Sequence, residues 1–557
     1  MQILSVSEMQ KVESAADDVG HSYAQMMELA GEAVAQAIDE WQAVAEKQVL
    51  ILVGPGNNGG DGLVAARRLH QRGAHVTAYL TRARDAGEDP VLAGAVSAGV
   101  TILDADDDEM VQLAELVAGA DVIVDALLGT GASPPLRGTI AAILESVQAA
   151  LTSRSRTPLT PIRYIPTPDA PHPTIVAVDG PSGLDFDTGE VDDRALHAHL
   201  TVTFAFPKWG QITQPGAARI GDLVIADIGI PEAVRIPDGP RLADARMAAR
   251  WLPARPPDAH KGTFGKAMVV AGSANYTGAA ILASRAAVRA GTGLVTLALP
   301  SELHAAVVTA IPEVTYLLLP HTLGVVNEAA VEVLRERLRE YTALLIGPGL
   351  GNTPESKAFM DLLLENRDRR KGTGFLRTES AAAKAQPLPP MVIDADGLNL
   401  LAQMPDWPKR LPSGCVLTPH PGEMSRLTGK STHDIQADRV AIATEWAEAW
   451  EQVVVLKGAF TVVAAPGREP VLLPFANPGL SSAGTGDVLA GTIVALRAQG
   501  RGAFEAAVAG GYLHGLAAEI VVRDRGTAGT AAGDIVEALG EAWRRLASRP
   551  LSQPASN

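Results

Sequence analysis

Val49-Leu50-Ile51-Leu52-Val53-Gly54-Pro55-Gly56-Asn57-Asn58-Gly59-Gly60-Asp61-Gly62 is an unbroken apolar run that gives way to a glycine loop. Five apolar residues without polar alternation read as a strand buried on both faces, the hallmark of a parallel sheet. The glycines let backbone approach a ligand closely, and the helix expected over Leu63 to Leu69 turns its positive end toward them. The spacing is not that of the dinucleotide fingerprint, and no Gly-Lys-Ser/Thr ending makes it a P-loop. Asn57, Asn58 and Asp61 add oxygens able to hold a monovalent cation, with a plain polar turn as the alternative.

The pattern repeats outward from this stretch. Val122-Ile123-Val124-Asp125 leads into Leu128-Gly129-Thr130-Gly131-Ala132-Ser133-Pro134-Pro135, and Ile175-Val176-Ala177-Val178-Asp179 into Gly180-Pro181-Ser182-Gly183-Leu184-Asp185. Strands alternating with helices predict an α/β fold with a Rossmann-like, doubly wound first domain whose loops converge at the strands' carboxyl ends. Asp125 and Asp179 each close an apolar strand, where metal ligation, acid–base work and helix capping compete. Upstream, Met26, Met27, Leu29, Ala30, Val34 and Ile38 recur at helical spacing, and Ser7 reads as the N-cap of the opening helix.

Residues 236–257, rich in proline and arginine, read as a linker between domains 1–235 and 258–548. After them the alternation restarts and ends in Gly484-Thr485-Gly486-Asp487, a glycine turn feeding a helix. Its backbone amides would cradle an anion while Asp487 takes a proton from a hydroxyl beside it, the apparatus for moving a phosphoryl group onto an alcohol. Gly347-Pro348-Gly349-Leu350-Gly351 and Thr418-Pro419-His420-Pro421-Gly422-Glu423 follow other strands. Lys457-Gly458-Ala459-Phe460-Thr461 sets a cation at a strand end, suited to nucleotide phosphates or to a solvated turn. Stretches 151–173 and 371–390 break the rhythm and read as surface insertions.

The chain has 557 residues, 47% hydrophobic and 20% charged, which exceeds one core and suits a globular enzyme. A formal charge of −16 argues against nucleic acid or anionic membrane as partners, so phosphorylated ligands need local donors. The single cysteine, Cys415, excludes an intramolecular disulfide and a cysteine zinc cluster and reads as a buried thiol. No stretch approaches the ~20 apolar residues of a membrane span, and the opening residues lack a secretion-signal pattern, so a cytoplasmic setting is expected.

Together the motifs resemble the bifunctional NAD(P)H-hydrate repair family, an epimerase fused to a dehydratase of ribokinase-like α/β fold. The resemblance runs through 56–62, 124–131 and 179–185 in the first half. In the second it runs through 261–265, 272–279, 347–351, 418–423 and 483–487. It implies interconversion of R- and S-NAD(P)HX, hydrated at C6 of the nicotinamide ring, and dehydration of the S form with ADP or ATP and magnesium. By resemblance, Asn57, Asn58, Gly59, Gly60, Asp61 and Gly129, Thr130, Gly131, Ala132, Ser133, Pro134, Pro135 bind the epimerase ligand. Asp179 binds it too and transfers the proton, while Asn58, Asp125 and Ser182 hold potassium. In the dehydratase, Ala279, Gly349, His420 and Asp487 meet the hydrate, and Lys457, Gly458, Ala459, Phe460, Thr461 and Gly486 meet the nucleotide. Gly484, Thr485 and Gly486 form the anion hole and Asp487 is the base. The family commonly forms homo-oligomers. Two rival readings stand beside this one: a small-molecule kinase, and a non-catalytic binding module in the first half.

Overall fold

The computed structural model describes residues 1–108, 110–154, 172–365 and 387–548. Of the two insertion-like stretches 151–173 and 371–390, residues 155–171 and 371–386 lie outside them. The chain divides into two compact units, Met1–Gly239 and Pro240–Asn557.

The first unit is built on seven strands: β1 (Gln48–Val53), β2 (His75–Leu80), β3 (Thr101–Asp104), β4 (Val122–Ala126), β5 (Thr174–Val178), β6 (Leu200–Phe204) and β7 (Asp222–Ala226). All pair in parallel, in the order β3-β2-β1-β4-β5-β6-β7. The apolar run of β1 serves both faces: Val49, Ile51 and Val53 enter one core cluster, and Leu50 and Leu52 the other. This two-sided burial is what the absence of alternation foretold. Strand order reverses between β1 and β4, so the loops after these two strands open a crevice at the carboxyl edge.

Helix α1 (Val6–Asp18) and helix α2 (Tyr23–Trp41) precede the sheet. The N-cap of α1 is Ser5 rather than the expected Ser7, because Glu8 stands three residues on and closes a capping box with Ser5. Helix α3 spans Asn57–Gln71, so it starts six residues before Leu63 and takes in most of the glycine motif. The reason is packing. A Cβ on Gly59 would lie 2.1 Å from the Gly54 carbonyl oxygen, and one on Gly62 2.5 Å from Ala126 Cβ. The glycines seat the first turn of α3 directly on β1 and β4.

The second unit carries a ten-stranded sheet. Its strands are β8 (Arg241–Leu242), β9 (Lys266–Val270), β10 (Leu294–Pro300), β11 (Thr315–Leu319), β14 (Ala343–Ile346), β15 (Met391–Ile393), β16 (Val416–Leu417), β17 (Val453–Leu456), β18 (Val462–Ala464) and β19 (Val471–Leu472); the short strands β12 (His321–Thr322) and β13 (Val325–Val326) pair apart from it. The order is β11-β10-β9-β14-β15-β16-β17-β18-β19-β8, parallel up to β17, with β18 antiparallel to both its neighbours. Strand β8 pairs with β19 and the helix Ala245–Trp251 follows it, so much of the proline- and arginine-rich stretch 236–257 belongs to this unit. Here order reverses between β9 and β14. No helix of the described residues is long and apolar enough to cross a membrane.

Helix Thr485–Ala498 lies against helix Thr277–Arg289, and Gly491 permits the approach: a Cβ there would stand 2.2 Å from the Ala283 carbonyl oxygen. Gly491→Val is therefore expected to force the helices apart and destabilise the second unit by about 1–3 kcal/mol. Urea unfolding followed by the fluorescence of the Trp407–Trp450 pair reads this; an unchanged midpoint would contradict the packing.

Candidate active sites

In the first unit three strand ends meet. Asp125 lies within β4 and is fully buried. Ser182 Oγ donates to its Oδ1 at 2.6 Å, and the Ser182 and Leu127 amides donate to the carboxylate at 2.8 and 3.3 Å. No lysine, arginine or histidine of the described residues pairs with it, and burial pushes its carboxyl up. Asn58 comes alongside through Gly129, where a Cβ would sit 3.2 Å from Asn58 Oδ1. Ser182 Oγ accepts from the Leu128 amide and keeps a second lone pair. A buried carboxylate without a counter-charge, one amide and one hydroxyl form an all-oxygen set with a single negative charge. Such a set fits a weakly hydrated monovalent cation.

The loop Gly129–Pro135 is anchored at both ends. Ser133 Oγ donates to Asp185 at 2.8 Å. Beyond Pro135, the Leu136 amide donates to Asp192 at 2.7 Å while Arg194 donates to the Leu136 carbonyl at 2.8 Å.

Asp179 follows β5 at φ +62°, a left-handed conformation that aspartate tolerates better than most residues. Its Oδ1 accepts from Lys208 Nζ at 2.7 Å and from Thr203 Oγ1 at 2.8 Å, and its carbonyl accepts from Gln211 Nε2 at 2.6 Å. Lys208 is 1% exposed. Leu4 bridges to Lys208 in parallel, which carries α1 and its Glu13 over the site. Glu13, Asp61 and Asp179 act on one another electrostatically, with Lys208 as the one cation among them. Burial, and then Asp179 and Glu13, push the Asp61 carboxyl well above the usual range.

In the second unit the loops after β9, β14, β15, β16 and β17 meet the N-terminus of helix Thr485–Ala498. Gly484 takes φ +89°, and no backbone acceptor holds the Gly486 or Asp487 amide. A Cβ on Gly486 would lie 3.5 Å from Lys457 Nζ and 3.9 Å from Asp394 Oδ2, so the glycine turn faces a lysine and a carboxylate. Lys457 is no solvated turn residue: its Nζ lies 2.8 Å from Asp394 and 3.5 Å from Glu423. Thr418 Oγ1 donates to Asp394 at 2.7 Å. Burial first, then the neighbouring Asp394, pushes Asp487 up to about 7. Glu423 is likewise pushed up to about 7, against the pull of Lys457.

Gly349 and Ala279 come together, since a Cβ on Gly349 would lie 2.9 Å from Ala279 Cβ. His420 caps the helix Pro421–Thr428, its Nδ1 accepting from the Gly422 and Glu423 amides at 2.9 and 3.3 Å, which leaves the proton on Nε2. The turn Gly458–Thr461 is held by Thr461 Oγ1, which donates to the Gly458 carbonyl, and by the half-buried Arg439, which reaches the Ala459 and Leu456 carbonyls. Cys415 is buried with its thiol pushed up to about 12, as a structural role requires.

Sequence reading missed Glu13, Thr203, Lys208, Asp394 and Arg439. Asp394 was open to the reasoning that picked Asp125 and Asp179, since it also closes an apolar strand. Lys208 stands four residues beyond β6, much as Lys457 follows β17. Glu13 sits on a helix distant in sequence and gave no signal.

Because Asp487 binds its proton more tightly in the folded chain than in the unfolded one, its charge lowers stability as pH rises through about 4 to 7. Asp487→Asn is expected to raise the stability of the second unit at pH 8 by on the order of a few kcal/mol, with the gain vanishing near pH 4. Equal stability at pH 8 would contradict the raised Asp487 carboxyl.

Comparison with known proteins completes the description. Residues 23–210 match the family model of the YjeF-related protein N-terminus, and residues 267–540 that of NAD(P)H-hydrate dehydratase. The bifunctional NAD(P)H-hydrate repair enzyme of Moorella thermoacetica is 38% identical over 94% of this chain and 92% of its own. That of Thermofilum pendens is 35% identical over 98% and 97%. The Bacillus subtilis ADP/ATP-dependent NAD(P)H-hydrate dehydratase, co-crystallised with ATP and magnesium, is 29% identical, covers 55% of this chain and 98% of its own, and has a TM-score of 0.45.

Proposed function

The chain belongs to the bifunctional NAD(P)H-hydrate repair family, and we infer from that premise that its first unit epimerises R- and S-NAD(P)HX while its second dehydrates S-NAD(P)HX to NAD(P)H. The observation that carries the second assignment is Asp487 in the first turn after Gly484, pushed up to about 7 and facing the same space as Lys457. The C6 hydroxyl of the hydrate is a poor leaving group, and a phosphoryl group from ADP or ATP makes it a good one. Asp487 takes the hydroxyl proton as the oxygen attacks phosphorus. The Gly484–Gly486 turn and the helix N-terminus offer donors to the transferring charge. Loss of phosphate from C6 and a proton from C5 then restores the dihydropyridine. Asp394, Glu423 and Asp487 outnumber the cation Lys457, which suits magnesium brought in on nucleotide phosphates. Magnesium, when bound, neutralises charge on the phosphoryl oxygens. His420, with Nε2 as donor, Ala279 and Gly349 line the hydrate side, and the turn Lys457–Thr461 with Gly486 the nucleotide side.

In the first unit the α3 N-terminus with Asn57–Asp61 and the loop Gly129–Pro135 bind the dinucleotide. Asn58, Asp125 and Ser182 fit potassium, which would organise the two loops by bridging them. Asp179 transfers the proton. The single thiol, buried and inert, agrees with a reducing cytoplasmic setting.

Absorbance at 340 nm after mixing the enzyme with R- and S-NADHX, potassium, magnesium and ADP or ATP tests the reading. Full recovery of NADH with one nucleotide is expected; a stable phosphoester without NADH would mean a kinase. Asp487 must be ionised to accept a proton, so kcat/KM is expected to fall about tenfold per pH unit below about 7. A rate flat from pH 7 down to pH 5 would remove Asp487 as base. For the cation, Asp125→Ala is expected to abolish the potassium dependence of epimerisation and lower its rate. Retained dependence would place the ion elsewhere.

A further inference from the structure

The epimerase site holds three carboxyls and one amine, and they are not equivalent. Asp179 is partnered twice on Oδ1, by Lys208 Nζ and Thr203 Oγ1. Lys208 also donates to Thr203 Oγ1 at 2.9 Å and to the Phe204 carbonyl at 3.2 Å, so it is locked in place. The Asp61 carboxyl, in the first turn of α3, receives no hydrogen bond or ion pair from the described residues. It feels the charges of Asp179 at the end of β5, Glu13 on α1 and Lys208 beyond β6. No other charge competes for it: Glu28 and Glu32 of α2 are held by Arg67, Arg68 and Arg72, and Asp125 of β4 by Ser182. From α2, Met27 packs at Gly60, next to Asp61.

We propose that Asp61 and Asp179 form an acid–base pair that opens and recloses the hydrated nicotinamide ring, Asp61, the carboxyl without a partner, serving the ring nitrogen and Asp179, the carboxyl fixed by Lys208 and Thr203, serving the hydroxyl. The proposal rests on the epimerase reading and specifies its chemistry. C6 of the hydrate carries a hydroxyl and the ring nitrogen. Asp179 takes the hydroxyl proton, C6 and oxygen form a carbonyl, and the C6–N1 bond breaks with its electron pair going to N1. Asp61 gives its proton to N1. Rotation about the C5–C6 bond presents the other carbonyl face. N1 then attacks C6, its proton returns to Asp61, and the proton on Asp179 goes back to oxygen. Both carboxyls finish as they began, and neither water nor an oxidant is consumed.

Two features of the surroundings suit this division. Lys208 and Thr203 hold Asp179 Oδ1 in one place, which leaves its other oxygen to meet a ligand hydroxyl. Burial and the two neighbouring carboxyls oppose ionisation of Asp61, and burial raises Glu13 as well. Two carboxyls in unlike environments are what an acid–base pair requires. Lys208 and Glu13 are then positioning residues, acting through Asp179 and Asp61.

The test follows conversion of purified R-NADHX to the S form by chromatography, with full-length protein, potassium and no nucleotide, from pH 5 to 9. The wild-type chain is expected to lose kcat toward alkaline pH, as Asp61 gives up its proton. Asp61→Asn is expected to lose about 10²–10⁴ in kcat, with KM within about threefold and the alkaline limb absent; Asp61→Glu should restore part of the rate. Asp179→Asn should lose kcat by a similar factor. A fall below threefold in kcat for Asp61→Asn, a loss confined to KM, or an alkaline limb that persists would overturn the pair. Reaction in ¹⁸O water with one label gained at C6 per turnover would overturn ring opening. A wild-type chain no faster than spontaneous interconversion would overturn the epimerase reading itself, an outcome separate from all of these.

Discussion

Each unit depends on one lysine that pairs with a carboxylate at the carboxyl edge of a parallel sheet: the buried Lys208 with Asp179, and the half-buried Lys457 with Asp394. Removing one partner of such a pair costs several kcal/mol, because the other charge is left without its counter-charge. The lysines come from the ends of nearby strands: β6 lies beside β5, and β17 lies one strand, β16, away from β15. Each lysine answers more than one carboxyl. Asp61 and Glu13 stand unpaired in the first unit, and Asp487 and Glu423 share the field of Lys457 in the second. The excess carboxyls are pushed toward neutrality, where a proton can be given or taken at ordinary pH. Stability is surrendered at these points and catalysis becomes possible there.

The glycines divide into two kinds of work. Gly59, Gly60 and Gly62 have no room for a Cβ, because the first turn of α3 sits on neighbouring backbone and on Met27. Gly349 and Gly484 have positive φ as well as crowding, and they shape turns at the dehydratase site. In both units a helix N-terminus therefore comes close to the strand-end carboxylates, an arrangement that would offer a bound anion backbone donors on one side and a carboxyl on the other.

Much of this was legible in the chain. The unalternating run Val49–Val53 called for a parallel sheet, and both faces of β1 are buried. Aspartates closing apolar strands marked Asp125 and Asp179, and the same rule extends to Asp394. Gly484–Asp487 disclosed its helix start because glycine at a left-handed N-cap is a local requirement. What stayed hidden depended on distant contacts. Glu13 reaches the site only because Leu4 bridges to Lys208, some 200 residues later. The start of α3 at Asn57 escaped because glycine argues locally against helix, and only packing against Gly54 and Ala126 reverses that preference. Arg241–Trp251 looked like linker by composition, yet β8 finds its partner in β19.

Two proton-transfer aspartates in one chain, Asp179 in the first unit and Asp487 in the second, would run two chemically distinct reactions. The most direct test follows the R and S hydrate fractions together with NADH in full-length Asp179→Ala and Asp487→Asn proteins, supplied with potassium, magnesium and nucleotide. The account predicts that Asp487→Asn equilibrates the epimers without forming NADH. Asp179→Ala should consume the S form promptly and leave the R form to spontaneous interconversion. Loss of both activities in either variant, with the fold intact, would contradict it.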